Sequence, residues 1–156
     1  MATLHMLIGI PGSGKSTYVR NTLINQLNNA IIVSSDEVRN LHPDFDEDHI
    51  WPEIYRLCAI ALLENKELIF DATNITPKVR KRFFDELEKR NVKFDSYQKI
   101  AYYFTTDVEI CYQRVLKRNQ NPNERYLPVE VIRQYNANKI MPTEEEGFCK
   151  IVVVED

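Results

Sequence analysis

The residues of this chain that could do chemistry gather first at its start. Gly9-Ile10-Pro11-Gly12-Ser13-Gly14-Lys15-Ser16 fills every position of the pattern G-x-x-x-x-G-K-S. Glycines at these places let the backbone curl so that successive N–H groups point inward at phosphate oxygens. The pattern assigns Gly9, Pro11, Gly12, Ser13, Gly14, Lys15, Ser16 and Thr17 to nucleotide binding. Lys15 reaches the outer phosphates and the Ser16 hydroxyl can ligate Mg2+, so the expected cofactors are ATP and Mg2+. A helix starting near Thr17 adds the positive end of its dipole. The competing reading is a glycine-rich strand-to-helix turn with an incidental lysine.

Three further groups of residues suit phosphoryl transfer. Asp36, in Ser34-Ser35-Asp36-Glu37-Val38-Arg39, follows an apolar run and is placed to take a proton from an attacking hydroxyl. Arg39 lies one helical turn on and can clamp an acceptor; Asp36 can equally cap a helix over 37–41. Leu68-Ile69-Phe70-Asp71 comes close to four apolar residues and an acid, so Asp71 is placed to support Mg2+ or to pair with Arg39 or Lys15. Arg118 and Arg125 flank Asn121-Pro122-Asn123, a turn, in a segment suited to close over transferring phosphates. Lys15, Asp36, Arg39, Arg118 and Arg125 are therefore the candidate catalytic residues, and Ser16 and Asp71 the candidate metal ligands.

The elements that must position these residues read as alternating strands and helices. Strands are expected near 3–9, 30–33, 68–70, 98–105 and 150–154. Helices are expected over 15–27, from about 50 to 64 with Pro52 in the first turn, after Thr76-Pro77, after a Thr106–Glu109 capping box, and around 131–135 until Pro142. A second capping box, Thr143–Glu146, precedes Gly147. In the helix after Pro77, Val79, Phe83 and Leu87 are expected to be buried. Lys78, Arg80, Lys81 and Arg82 are expected on its exposed side, either in charge pairs such as Arg82–Glu86 or in contact with an acceptor's phosphates. Five apolar strands alternating with helices predict an α/β P-loop fold: a five-stranded parallel sheet, helices on both faces and a small helical lid at about 118–139. His49 and Trp51 read more readily as packing or surface than as substrate contacts. The acids at 44–48 read as a solvated loop or a helix start, since their spacing fits no Ca2+ loop.

Composition sets the bounds. The 156 residues fit one domain over 1–156, with 44% apolar and 28% charged residues. No apolar run has the length of a membrane span and the start shows no secretion pattern, which leads to an expected cytoplasmic location and no membrane partner. Cys58, Cys111 and Cys149 are widely spaced and expected to be buried thiols. A net charge of −3 argues against a long nucleic-acid footprint, though a single-stranded end of a few nucleotides needs little charge.

The series GIPGSGKST, SSDEVR, FDATN, KRNQNPNERYLPVEVIR and EEGF resembles the 5′-kinase domain of phage and bacterial polynucleotide kinases, within the small P-loop kinases that include zeta-toxin-like enzymes. The resemblance spans nearly the whole chain. It implies transfer of the γ-phosphate of ATP to the 5′-hydroxyl of DNA or RNA. It implies Asp36 as general base, Arg39 on the phosphate next to the acceptor hydroxyl, and Lys15 and Ser16 on ATP and Mg2+. Arg118 matches a lid arginine; the family's second aligns with Pro122, and Arg125 lies three residues later. The phosphatase and ligase modules fused to well-known members have no counterpart here. The alternative acceptor is a small molecule: a nucleoside, a nucleotide sugar or an antibiotic hydroxyl. A second alternative is a non-catalytic module that holds ATP without transfer.

Overall fold

The computed structural model describes residues 1–155. Its centre is a parallel sheet of five strands in the order β2-β3-β1-β4-β5. The strands are β1 (Ala2–Ile8), β2 (Ile31–Ser34), β3 (Glu67–Asp71), β4 (Tyr97–Phe104) and β5 (Lys150–Val154). Every position of β1 is buried because β3 and β4 flank it in the sheet and helices cover both faces. Alternate residues serve the two faces. Leu4, Met6 and Ile8 join Ile50, Ile54, Phe83 and Leu87 in one core, while Leu7, Ile69 and Phe104 join Val19 and Leu23 in the other.

The helices are α1 (Lys15–Tyr18), running through a π-helical segment at Val19–Leu23 into α2 (Ile24–Gln26), then α3 (Ser35–Leu41), α4 (Glu47–Leu63), α5 (Pro77–Lys89), α6 (Val108–Arg118) and α7 (Glu130–Asn138). Only four glycines are present in the chain, and three of them stand in the loop after β1. The fourth, Gly147, takes a left-handed turn after residues 144–146, and the remaining left-handed positions outside that loop fall to Asn29, Asn65 and Asn91 after helices and Asn74 after β3. Asparagine tolerates that conformation better than other residues with a Cβ.

Several local expectations need correction. Helix α4 begins one turn earlier than its apolar spacing suggests, because Asp46 accepts the His49 N–H as its cap. Pro52 therefore lies beyond the first turn, inside the helix. The cap of α3 is Ser34, whose hydroxyl accepts the Glu37 N–H, so Asp36 lies within the first turn instead of capping it. The cap of α6 is Asp107, which accepts the Glu109 N–H, since the Thr106 hydroxyl is engaged by the Ser13 carbonyl at 2.8 Å. The Thr143–Glu146 capping box and the Thr76 cap form as expected. Cys58 and Cys111 are buried, but Cys149 is exposed.

The buried stripe of α5 is rotated. Val79 is exposed, whereas Arg80 is 0% exposed beside Phe83, Phe84 and Leu87. Arg80 is not free to meet an acceptor. It donates to both carboxylate oxygens of Glu146, at 2.7 and 3.1 Å, and to the Asn74 carbonyl at 2.8 Å. A fully buried guanidinium requires such pairing. The exposed charge pairing on α5 is Lys81–Asp85, with Glu86 taken by Lys89 and Arg90 and not by Arg82.

Candidate active site

The loop between β1 and α1 is pinned through its carbonyls, by its own Lys15 and by side chains that follow β4. Lys15 Nζ donates to the carbonyls of Gly9 and Ile10 at 3.0 and 3.1 Å, Arg114 to that of Gly12 at 3.1 Å, and Thr106 to that of Ser13 at 2.8 Å. Peptide planes whose carbonyls point outward present their N–H groups to the other side, which is how a phosphate cradle is made. Gly12 has φ +82°, and a Cβ there would stand 2.7 Å from the Cys111 carbonyl oxygen. At Gly9 a Cβ would meet the Ser13 Oγ at 2.6 Å. That Oγ is buried without a hydrogen-bond partner, an unusual state for a hydroxyl and one that a phosphate oxygen would relieve. Burial pushes the Lys15 ammonium below its ordinary value, with Asp71 and Asp36 pulling the other way. A buried cation beside a cradle of amides fits the phosphates of a nucleotide.

Beside the loop lies a cleft of about 440 Å³. Its lining includes Gly12–Gly14, Thr17, Tyr18, Phe104, Arg114 and Arg118. Ser16 and Asp71 meet directly, Oγ donating to Oδ2 at 2.8 Å. Among the described residues, Asp71 makes no salt bridge with Arg39 or Lys15; its hydrogen-bond partner is Ser16. The pair offers two hard oxygens, one of them anionic, the donor type that suits Mg2+. Among the described residues no cluster of three or more His, Cys, Asp or Glu side chains is suited to a metal. Mg2+ held here would thus complete its shell with water and phosphate oxygens.

The end of β2 supplies the other half of the site. Ser34 of β2 pairs in register with Asp71 of β3, which carries α3 and its Asp36 to the same edge of the sheet as Ser16 and Lys15. In open parallel sheets this carboxyl-end edge is where ligands bind. Asp36 accepts from Arg39 Nη1 at 3.0 Å and lies 3.8 Å from Arg125 Nη1. Its side chain is 57% exposed, so the carboxylate remains open to a ligand. Glu47 takes the other donors of Arg39, Nε at 3.1 Å and Nη2 at 2.8 Å. Burial opposes the Arg39 charge, but the Glu47 carboxylate outweighs it and raises the guanidinium above its ordinary value.

All the residues expected in the site thus lie along one edge. Arg118 lines the cleft beside the loop and Arg125 faces Asp36, so the two arginines stand at different ends of the site. Trp51 stands beside Arg39, whose guanidinium carbon is 5.9 Å from its ring centre. Three participants escape a reading of the sequence. Asn74 has a φ of 50° and donates to the Leu7 carbonyl at 2.9 Å, fastening the end of β3 to β1 behind the loop. Nothing in the sequence sets Arg114 or Glu47 apart from the charged residues around them.

Residues 4–139 match the family model for an AAA domain. The chain belongs to the AAA domain family. This AAA domain has the α/β fold of the P-loop kinases. It is similar to a candidate kinase from Chloroflexus aurantiacus j-10-fl, at 16% identity and a TM-score of 0.74, covering 99% of this chain and 88% of that one. It is similar also to a fungal RNA kinase, at 18% identity and a TM-score of 0.70, covering 99% of this chain but 38% of the other. A gluconokinase from Sinorhizobium meliloti 1021 shares the fold at 12% identity and a TM-score of 0.58, with coverage of 98% and 82%. The AAA domain therefore spans well under half of the RNA kinase chain. No curated protein matches its sequence. No helix among the described residues is long and apolar enough to cross a membrane.

Proposed function

We propose that this AAA domain is an ATP-dependent kinase that transfers the γ-phosphate to a hydroxyl, with the 5′-hydroxyl of a DNA or RNA end as acceptor. The observation that carries the reading is the meeting of Asp36 with Arg39 and Arg125 at the end of β2, on the edge that holds Lys15 and Ser16. Phosphoryl transfer asks a protein mainly for positioning and for neutralisation of charge. The phosphate loop and Lys15 hold the nucleotide. Ser16 and Asp71 would hold Mg2+, which would supply charge neutralisation for the phosphates. Asp36 accepts the proton of the attacking hydroxyl, and Arg39 orients the acceptor. Arg118 and Arg125, on the segment that acts as lid over about 118–139, balance charge on the transferring group from opposite ends. The whole of 1–156 works as one unit in this reading, and a cytoplasmic location suits its substrates.

One observation favours the small-molecule alternative. The rim from Asp44 to Asp48 carries four carboxylates, which repel a long polyanion. A short single-stranded end that enters with its terminal nucleotide alone avoids most of that cost. The discriminating experiment is labelled γ-phosphate transfer to DNA and RNA oligonucleotides, nucleosides and nucleotide sugars in parallel. Label on the oligonucleotide 5′ end is the expected result. Label on a small molecule alone would move the acceptor to the alternative, and ATP binding with no transfer to any hydroxyl would leave only a binding module.

A further inference from the structure

The acceptor end holds one contact that the transfer itself does not use. Glu47, the first residue of α4, faces Arg39 of α3 and occupies two of its donors. The remaining contact, from Nη1, goes to Asp36. A guanidinium presents its donors as a planar fork that fits carboxylate and phosphate alike. Glu47 grips the Nε/Nη2 edge with both carboxylate oxygens, whereas Asp36 makes a single contact at Nη1, so an anionic group can take the Nε/Nη2 fork only by displacing Glu47. The two carboxylates differ in what their loss costs. Asp36 has to stay for the proton. Glu47 sits on the rim with 57% of its side chain exposed, so water can receive it cheaply.

We propose that Glu47 determines acceptor specificity: its carboxylate occupies the seat on Arg39 that a phosphate next to the acceptor hydroxyl takes. This deepens the hydroxyl-kinase reading and rests on it. An acceptor carrying such a phosphate must evict Glu47 to gain the Arg39 fork. A nucleoside without the phosphate leaves the pair in place. The bidentate grip keeps Glu47 ionised, since Arg39 holds its carboxyl below the ordinary range, with a lesser contribution from the Arg125 charge. While Glu47 holds the seat, affinity for a phosphate-bearing acceptor is reduced by the fraction of molecules in which the seat is open.

Trp51 makes this measurable, because it is the chain's one tryptophan and lies against Arg39. The full chain, saturated with ADP and Mg2+, is titrated with uridine 3′-monophosphate and with uridine while Trp51 fluorescence is followed. Glu47→Gln and Glu47→Ala are compared with wild type, and Asp44→Asn removes one charge from the neighbouring loop as a control. The expected result is that both Glu47 variants bind the nucleotide about five- to tenfold more tightly, with uridine unchanged within about twofold and Asp44→Asn resembling wild type. Equal shifts for both acceptors, an equal gain in Asp44→Asn, or weaker nucleotide binding in Glu47→Ala would overturn the proposal. Wild type that binds both acceptors without a selective gain in the variants refutes the role of Glu47 alone. Wild type that binds neither refutes the acceptor site, and the proposal with it.

Discussion

At the phosphate loop, position is held by buried groups: Gly12 packs against the Cys111 backbone, Thr106 and Arg114 hold the loop's carbonyls, and Asn74 ties β3 to β1 behind it. At the acceptor end, Asp36, Glu47 and Arg125 are substantially exposed, and Arg39 is held by the carboxylates of Asp36 and Glu47. The first arrangement is rigid, and in the proposed reading it takes phosphate whatever the rest of the ligand. The second can exchange partners, because exposed ion pairs hold weakly. In the proposed reading the donor end stays fixed while the acceptor end can change its contacts.

Substitutions can break this contrast in order of size. Asp36→Asn should lower the rate of transfer by about a hundredfold to ten-thousandfold, the usual range for a lost general base. ATP affinity, measured by calorimetry, should stay within about twofold. An equal loss of ATP affinity would mean the two ends are not independent. Next is the scaffold behind the loop. Glu146→Gln leaves Arg80 buried with its charge uncompensated and should cost about 3 kcal/mol of stability by denaturant unfolding. The double change Arg80→Met with Glu146→Leu should recover part of that loss, since replacing a buried pair by apolar groups is often neutral.

Gly12→Ala should cost about 1–3 kcal/mol, from a positive φ and a Cβ driven into backbone that cannot move aside. It should also abolish the rise in Tm that ATP gives the wild type. Retention of that rise would show that the loop adapts. The smallest effect belongs to the acceptor end. Arg39 holds the Glu47 carboxyl below its ordinary value of 4.5, so the pair's contribution is present above that pH and is lost as pH falls through the lower folded value. Wild type should exceed Glu47→Gln in stability at pH 7 by at most about 1 kcal/mol, and the gap should close as pH falls below 4.5. A gap that persists in acid would mean that Glu47 acts through packing.

The same contrast governs what could be read from the sequence. The phosphate loop is contiguous, so its chemistry and its glycines stand in one line of text. Asp36 and Arg39 are one helical turn apart and equally visible. The contacts Ser16–Asp71, Arg39–Glu47 and Arg80–Glu146 join distant segments, and only the folded sheet brings them together. Arg80 was misplaced for a physical reason. A helical stripe read from apolar residues puts an arginine outside, but a bidentate carboxylate and a carbonyl permit it inside, and the stripe turns so that Val79 is exposed. The slip from Thr106 to Asp107 at the cap of α6 has a similar cause. Either side chain could cap, and the Ser13 carbonyl claims the threonine. Pro52 was misjudged because the turn before it is acidic, with only its cap to announce a helix.

The most direct test of a hydroxyl seated at Asp36 uses one oligonucleotide in two forms. ADP formation from ATP and Mg2+ is followed with a 5′-hydroxyl oligonucleotide and with the same oligonucleotide ending in a 5′-deoxy carbon. ADP should form with the first, in step with phosphate appearing on its 5′ end, and should not form above background with the second. Equal turnover with both would show that ATP is consumed without reference to the hydroxyl, and would contradict the account.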